Sequence, residues 1–492
     1  MFGFKAFLSR IMGIGTVQRQ SIVSFIWQVA FTFISFLSTM YFAHAAGAGI
    51  LGAYFLFMAY FNIASMVTDG GFGVAAIKRI SEGKDQNEYF SSFVILRCLF
   101  VVIVIAALIA FRGYFVDLNN SGMFVLLLFA LIASILPGAV SSGVSGCGKI
   151  GIHATCDFIG SVSRILVQVA AIALGFGAWG LAGGFIAGLI VTPMLELRFF
   201  DLRFVRFSWY HIKSMLTFSF WLFLTTGGTI IYQTADTVMI GYYLDNANIG
   251  VYRVVVLFTG VSAIITGALH VTLWPKISRW GKTGNIWLIE ESLSRSITYS
   301  LVFAIPIFAG GVLLGDKLLY FFYGAEFTKG YTTLVVMLMV QVVNVFQFFS
   351  LEFLGALDKQ KEAFKITAAA ATANIMVNAI LIPIMGITGA GLATLITISL
   401  NAILARHVLS KTITMRVENS SIFNIIEASA AMVLLVGGYR MLVPLSNIWL
   451  TLVPVILGGI VYGFLMLKFD GKIYDELKGI LSQMNITWPK WL

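Results

Sequence analysis

Three arginines, Arg97, Arg164 and Arg253, stand inside long apolar runs of this chain. A charge at the centre of a membrane-spanning helix costs about 2.5–3.5 kcal/mol on insertion scales, so such a side chain faces a cavity or a partner. The guanidinium fork stays charged at low dielectric and takes up phosphate oxygens two at a time. Arg164 lies about 12 residues into its run, roughly 18 Å deep at the helical rise and near a bilayer midplane. Arg97 lies about 7 residues in, where it could also reach back to the headgroups. Arg253 and Asp236 fall near the outer ends of successive runs, where they could pair across a hairpin or serve a ligand. Asp69 and Asp236 are candidate partners for a proton or cation. Asp69, Asp157, Glu352 and Glu427 sit near the cytoplasmic ends of runs, where hydration is cheap. The amides of Gln28, Asn62, Gln168, Gln233, Gln341, Asn344, Asn374 and Asn378 could meet sugar hydroxyls or tie helices together.

Charges placed in this way need apolar helices around them. The 492 residues are 59% hydrophobic and 11% charged, with a mean hydropathy of +0.93. Soluble domains carry roughly 25% charged residues, so this chain is a polytopic membrane protein, all-α in fold class. Fourteen stretches of about 20 apolar residues are expected. They run over 21–43, 49–77, 90–111, 122–143, 152–175, 178–197, 215–241, 248–274, 294–315, 330–354, 364–385, 387–405, 422–443 and 447–467. Glycine-centred turns such as Gly175-Phe176-Gly177-Ala178 and Met385-Gly386 make the shortest connections. No loop is long enough for a soluble module.

With these spans, 25 of the 32 lysines and arginines fall on one side, 4 on the other and 3 inside. The bias predicts cytoplasmic termini and a multi-pass protein of the cytoplasmic (inner) cell membrane. It also accounts for the net charge of +10 without nucleic acid as a partner. Phe4, Phe7, Leu8, Ile11 and Met12 share one helical face opposite Lys5, Ser9 and Arg10, which predicts an amphipathic surface segment. Cys98, Cys147 and Cys156 lack metal-ligand or redox spacing and read as packing residues. The five histidines are scattered, and the sequence has no phosphate loop, no H-E-x-x-H and no paired carboxylates in a loop with a candidate partner. No enzyme activity, metal or cofactor is expected.

An internal repeat runs through the chain. Met40-Tyr41-Phe42-Ala43 with Gly52-Ala53-Tyr54 recurs as Met239-Ile240-Gly241-Tyr242 with Gly250-Val251-Tyr252, and Gly177-Ala178-Trp179-Gly180 recurs as Gly386-Ile387-Thr388-Gly389. An even number of spans separates the copies, so the repeat is parallel. It predicts two lobes around a central cavity suited to alternating access.

Four stretches carry a family resemblance. They are Tyr41-Phe42-Ala43 … Gly52-Ala53-Tyr54 … Asp69-Gly70-Gly71 … Arg79; Tyr232 to Tyr242 with Gly250-Val251-Tyr252; Phe321-Phe322-Tyr323-Gly324-Ala325-Glu326-Phe327; and Gly355 to Gln360 with Asn374, Asn378 and Gly386 to Ala390. Together they resemble the polysaccharide transporter, or O-antigen flippase, family of the multidrug/oligosaccharidyl-lipid/polysaccharide exporter superfamily. The resemblance covers most of the chain, and its motifs are architectural. It implies a fourteen-helix, two-lobed exporter carrying a polyprenyl-diphosphate-linked oligosaccharide, such as a polysaccharide repeat unit, from the cytoplasmic to the outer leaflet. The glycan lipid and membrane lipids are its expected partners, with a polysaccharide polymerase or glycosyltransferases as further ones. The site expected on these grounds is a cationic cavity of Arg164, Arg97, Arg253, Gln28, Asn62, Gln168, Gln233, Asn374 and Asn378, with Asp69 and Asp236 for ion coupling. Alternatives are a cation-coupled multidrug antiporter of the same superfamily, a peptidoglycan-precursor flippase, and a membrane glycosyltransferase or polymerase.

The expected organisation is a segment 1–20, an N-lobe 21–197, a linker 198–214, a C-lobe 215–405, two further spans in 406–467 and a tail 468–492.

Overall fold

A computed structural model of the chain describes residues 16–115, 118–119, 121–414 and 418–483. The amphipathic face expected at Phe4 to Met12 lies outside the described residues. Among the described residues every regular element is helical, and ten helices are long and apolar enough to cross a membrane. In chain order the α-helices are α1 (Thr16–Asp69), α2 (Phe72–Ser81), α3 (Gln86–Ala110), α4 (Met123–Ala133), α5 (Ile135–Gly146), α6 (Ile150–Ala173), α7 (Gly177–Glu196) and α8 (Trp209–Tyr243). They continue as α9 (Asn246–Thr259), α10 (Ile264–Thr283), α11 (Ile286–Tyr323), α12 (Tyr331–Ala356), α13 (Gln360–Leu409), α14 (Asn419–Leu442), α15 (Ile448–Phe469) and α16 (Gly471–Gln483).

Two of these helices each contain two expected spans. Within α1 the backbone breaks at Gly47 (φ 78°, ψ 174°), and within α13 it breaks at Gly386 (φ 60°, ψ −141°). An L side chain does not adopt these angles without strain, so glycine decides where each helix turns. A third break corrects the expected second span, which was to run to residue 77. Gly70 and Gly71 take φ of 56° and 77°, so α1 stops at Asp69 and α2 restarts at Phe72. The Asp69 carboxylate accepts the Gly73 N–H at 3.4 Å, covering one of the orphan donors of α2.

The chain divides into two compact units, 1–250 and 251–492. In the first, Phe57, Phe61, Met123, Leu127 and Phe185 form one apolar core, and Phe72, Ile80, Phe93 and Met215 form another. Residues 200–208 lead to α8 without regular structure. In the second unit, Ile289, Leu293, Phe349, Phe353, Leu409 and Ile425 belong to one apolar core.

Local geometry repeats between the two halves of the sequence. Before α6, the N–H groups of Cys147, Gly148 and Lys149 donate to the carbonyls of Gly143, Ser145 and Val144. Before α13, those of Leu357, Asp358 and Lys359 donate to Phe353, Gly355 and Leu354. Each is a Schellman turn closed by a left-handed residue, Gly148 (φ 76°) or Asp358 (φ 61°). Each turn ends on a lysine that clips the end of a later helix. Lys149 donates to the Phe199 carbonyl at 2.8 Å, and Lys359 donates to the Thr412 hydroxyl. At the break in α1 the relation is reciprocal. A Cβ on Gly52 would collide with the Asn246 carbonyl, and a Cβ on Gly250 would collide with the Ala48 carbonyl. The two carbonyl residues, Ala48 and Asn246, stand at the same 198-residue offset as Gly52 and Gly250.

Candidate functional site: charged and polar groups on paired helices

The helix pair α6 and α7 is built on small residues four apart. Gly180, Gly184, Gly188 and Thr192 recur at one-turn spacing and so share a face of α7. Each has a fixed counterpart on α6. A Cβ on Gly180 would stand 2.6 Å from Ala171 Cβ, and one on Gly184 would collide with Gln168 Cγ. One on Gly188 would stand 2.9 Å from Arg164 Cβ, and one on Gly160 of α6 would collide with Thr192. Close backbone approach of this kind is how membrane helices gain van der Waals contact where no hydrophobic force drives them together.

This seam positions Arg164. Its root rests on Gly188, and its guanidinium carbon lies 5.5 Å over the Phe31 ring on α1. Arg164 Nε is buried without a hydrogen-bond partner. Asp157, two turns earlier on α6, lies within electrostatic reach of Arg164. Gln28, one turn before Phe31, is exposed. Gln168, one turn beyond Arg164, is buried and donates to the Leu181 carbonyl at 2.7 Å and the Tyr54 hydroxyl at 3.2 Å. Its amide therefore ties α6 to α7 and to α1.

Arg97 is differently placed. It is 6% exposed and donates to Asp69 at 2.9 Å and to the Ser134 carbonyl at 2.9 Å. Gly138 on α5 leaves the room its guanidinium occupies. Two residues expected in separate roles, one for ligand and one for ion coupling, thus form one ion pair joining α1, α3 and the α4–α5 junction.

The other expected site residues are spread over the chain. Asn62 on α1 and Gln233 on α8 are exposed within apolar helices. Asp236 is buried on α8 in the first unit, and Arg253 is half-buried on α9 in the second. Asn374 is buried in α13, donating to Thr397 at 3.2 Å and accepting from Asn378 at 2.9 Å. The bond to Thr397 crosses the Gly386 break and holds the two limbs of α13 together.

Sequence reading missed the carboxylate at the end of the glycine seam. Glu196 lies one turn beyond Thr192 and is fully buried. It accepts from the Ser141 hydroxyl at 2.6 Å, and its other oxygen lies 2.6 Å from His153 Nδ1. Continuing the four-residue stripe by one step would have found it. Arg440, counted as a loop charge, pairs with Asp316 through two contacts at 2.9 and 3.1 Å.

Comparisons with known proteins fit this architecture. The chain is 26% identical over 468 residues to a probable low-salt glycan biosynthesis flippase, Agl15, of Haloferax volcanii, covering 95% of this chain and 99% of that protein. It is 24% identical over 476 residues to a probable flippase, AglR, of the same organism, covering 94% and 98%. Its fold matches the lipid II flippase MurJ in an inward closed conformation with a TM-score of 0.75 at 19% identity, over 92% of this chain and 99% of that one. The family profile described as polysaccharide biosynthesis protein matches residues 49–332, from the second limb of α1 through the start of α12. A multi-pass helical chain with that profile across more than half its length belongs to the polysaccharide biosynthesis protein family.

Proposed function

We propose that this protein is a flippase that carries a polyprenyl-diphosphate-linked oligosaccharide from the cytoplasmic to the outer leaflet, with fourteen spans and both termini cytoplasmic. The observation that carries the reading is its similarity, along nearly the whole chain, to two proteins named as probable flippases. The chemistry of Arg164 fits such a cargo. A diphosphate presents paired oxygens to a guanidinium fork, and an arginine keeps its charge where water is scarce. Without that countercharge the headgroup would meet hydrocarbon as a bare anion, at a cost of several kcal/mol. The exposed amides of Gln28, Asn62 and Gln233 are assigned to sugar hydroxyls. Gln168 and Asn374, which carry interhelical hydrogen bonds, and Asn378, which donates to Asn374, are assigned to positioning helices, and the Arg97–Asp69 pair is assigned to the architecture of the first unit. The protein is a carrier, not an enzyme.

The test is the lipid that accumulates in cells lacking the protein. An oligosaccharide-diphospholipid held in the inner leaflet supports the reading. Drug sensitivity with no such lipid would replace it with the small-molecule antiporter.

A further inference from the structure

We propose that Glu196 and His153, with Asp157 as the entry, form the proton-binding site that couples this carrier to a transmembrane proton gradient. The proposal rests on the carrier reading above and adds its energy source.

Two half-buried carboxylates face arginine, Asp69 toward Arg97 and Asp316 toward Arg440, and the buried Asp470 accepts from the Lys472 and Ile473 N–H groups. Arginine does not release its proton, so both pairs are permanent ties. Glu196 is the more deeply buried, with none of its side chain exposed, yet its two partners are a hydroxyl and an imidazole. A carboxylate taken out of water needs a compensating charge, and here the available one is a proton on the carboxyl–imidazole pair. Histidine gains and loses a proton at physiological pH.

Exposure is graded along the cluster. Asp157 is exposed, the His153 side chain is 35% exposed, and Glu196 is closed off. His153 and Asp157 are four residues apart and share a face of α6. Asp157 lies within electrostatic reach of His153, Glu196 and Arg164. Cys156 on α6 also lies within electrostatic reach of Glu196, and Cys147 and Lys149 stand in the turn before α6 with Arg198 two residues beyond Glu196. Lys149 is already held by Phe199 and Asp201. α4 and α5 contribute no ionisable side chain, and residues 20–68 of α1 contribute only His44, Tyr41, Tyr54 and Tyr60. Uptake adds one proton through Asp157 and the His153 imidazole and takes the pair from one negative charge to zero. Release gives the proton up through His153 and Asp157 after the carrier has opened to the opposite side of the membrane, so that one proton crosses per cycle. Both oxygens of Glu196 are already engaged by Ser141 and His153, which leaves it poorly suited to a metal cation.

The experiment uses the full chain in proteoliposomes, a fluorescent short-chain polyprenyl diphosphate N-acetylglucosamine as probe, and an imposed pH gradient. Wild type is expected to move the probe faster with the gradient and to lose that gain when an ionophore collapses it. Glu196→Gln and His153→Gln should keep gradient-free exchange and lose the gradient response and the pH profile. Infrared difference spectra should show a buried protonated carboxyl that Glu196→Gln removes. Should Glu196→Gln fail to fold, the pH profile of His153→Gln decides. Wild-type flux indifferent to gradient and ionophore overturns the proposal and leaves the carrier reading standing. A pH profile unchanged in both variants, with lowered thermal stability, overturns it in favour of a structural clamp. No movement of the probe by wild type counts against the carrier reading, and the infrared titration alone then judges the proton site.

Discussion

The two halves of this chain solve one packing problem with different chemistry. Aligned on their matching turns, α6 and the first limb of α13 put Arg164 opposite Asn374 and Gln168 opposite Asn378. Glycine faces the long side chains in the first unit: Gly188 under Arg164 and Gly184 under Gln168. In the second unit a hydroxyl takes that place, since Thr397 accepts from Asn374. His153 corresponds to Ala363 and Glu196 to Ala405. The first unit therefore carries ionic groups along its seam where the second carries neutral amides and alanine. A scaffold used twice has been charged once, and the functional reading follows the charge.

The largest expected effect comes from Arg97. Replacing it with alanine leaves the half-buried Asp69 without its countercharge and empties the space the guanidinium fills beside Gly138, at a cost of about 2–3 kcal/mol. Thermal unfolding in detergent should show this loss in Arg97→Ala even where correctly inserted protein retains its transport. Arg164→Ala should behave oppositely. It should insert normally and slow flipping by about 10- to 100-fold, the range of a lost charge-assisted hydrogen bond, while Arg164→Lys keeps part of the rate. Wild-type flux from Arg164→Ala would erase the distinction between the halves. Gly184→Val comes next. Its side chain would drive into Gln168 and the α6 backbone, at about 1–3 kcal/mol of overpacking, read as a lower melting temperature. Asn374→Ala should be mildest, about 1 kcal/mol, because one interhelical hydrogen bond in a membrane is worth little. A transport defect in Asn374→Ala as deep as that in Arg164→Ala would show the second seam to be a binding face too.

Much of this fold is legible in the sequence because lipid demands long apolar helices and glycine marks their breaks. Gly47 and Gly386 sit where the reading divided its spans. The Gly70–Gly71 break was read through because apolar residues continue on both sides of it. Partnerships are less legible. Arg97 and Asp69 lie 28 positions apart, and only the packing of α1 against α3 brings them together. Glu196 is hard to read from sequence because it precedes the basic stretch Arg198 to Arg206, a setting in which carboxylates are usually hydrated. Its burial follows from a glycine stripe whose periodicity is visible but whose partner helix is not.

The reciprocal contact of Gly52 and Gly250 has a thermodynamic consequence. Each glycine admits a backbone carbonyl from the other's turn, so one interface answers for both positions. An alanine at either residue must part the two turns, and once they are parted the second alanine has little left to displace. The two costs are therefore strongly sub-additive, with a coupling energy comparable to either single change.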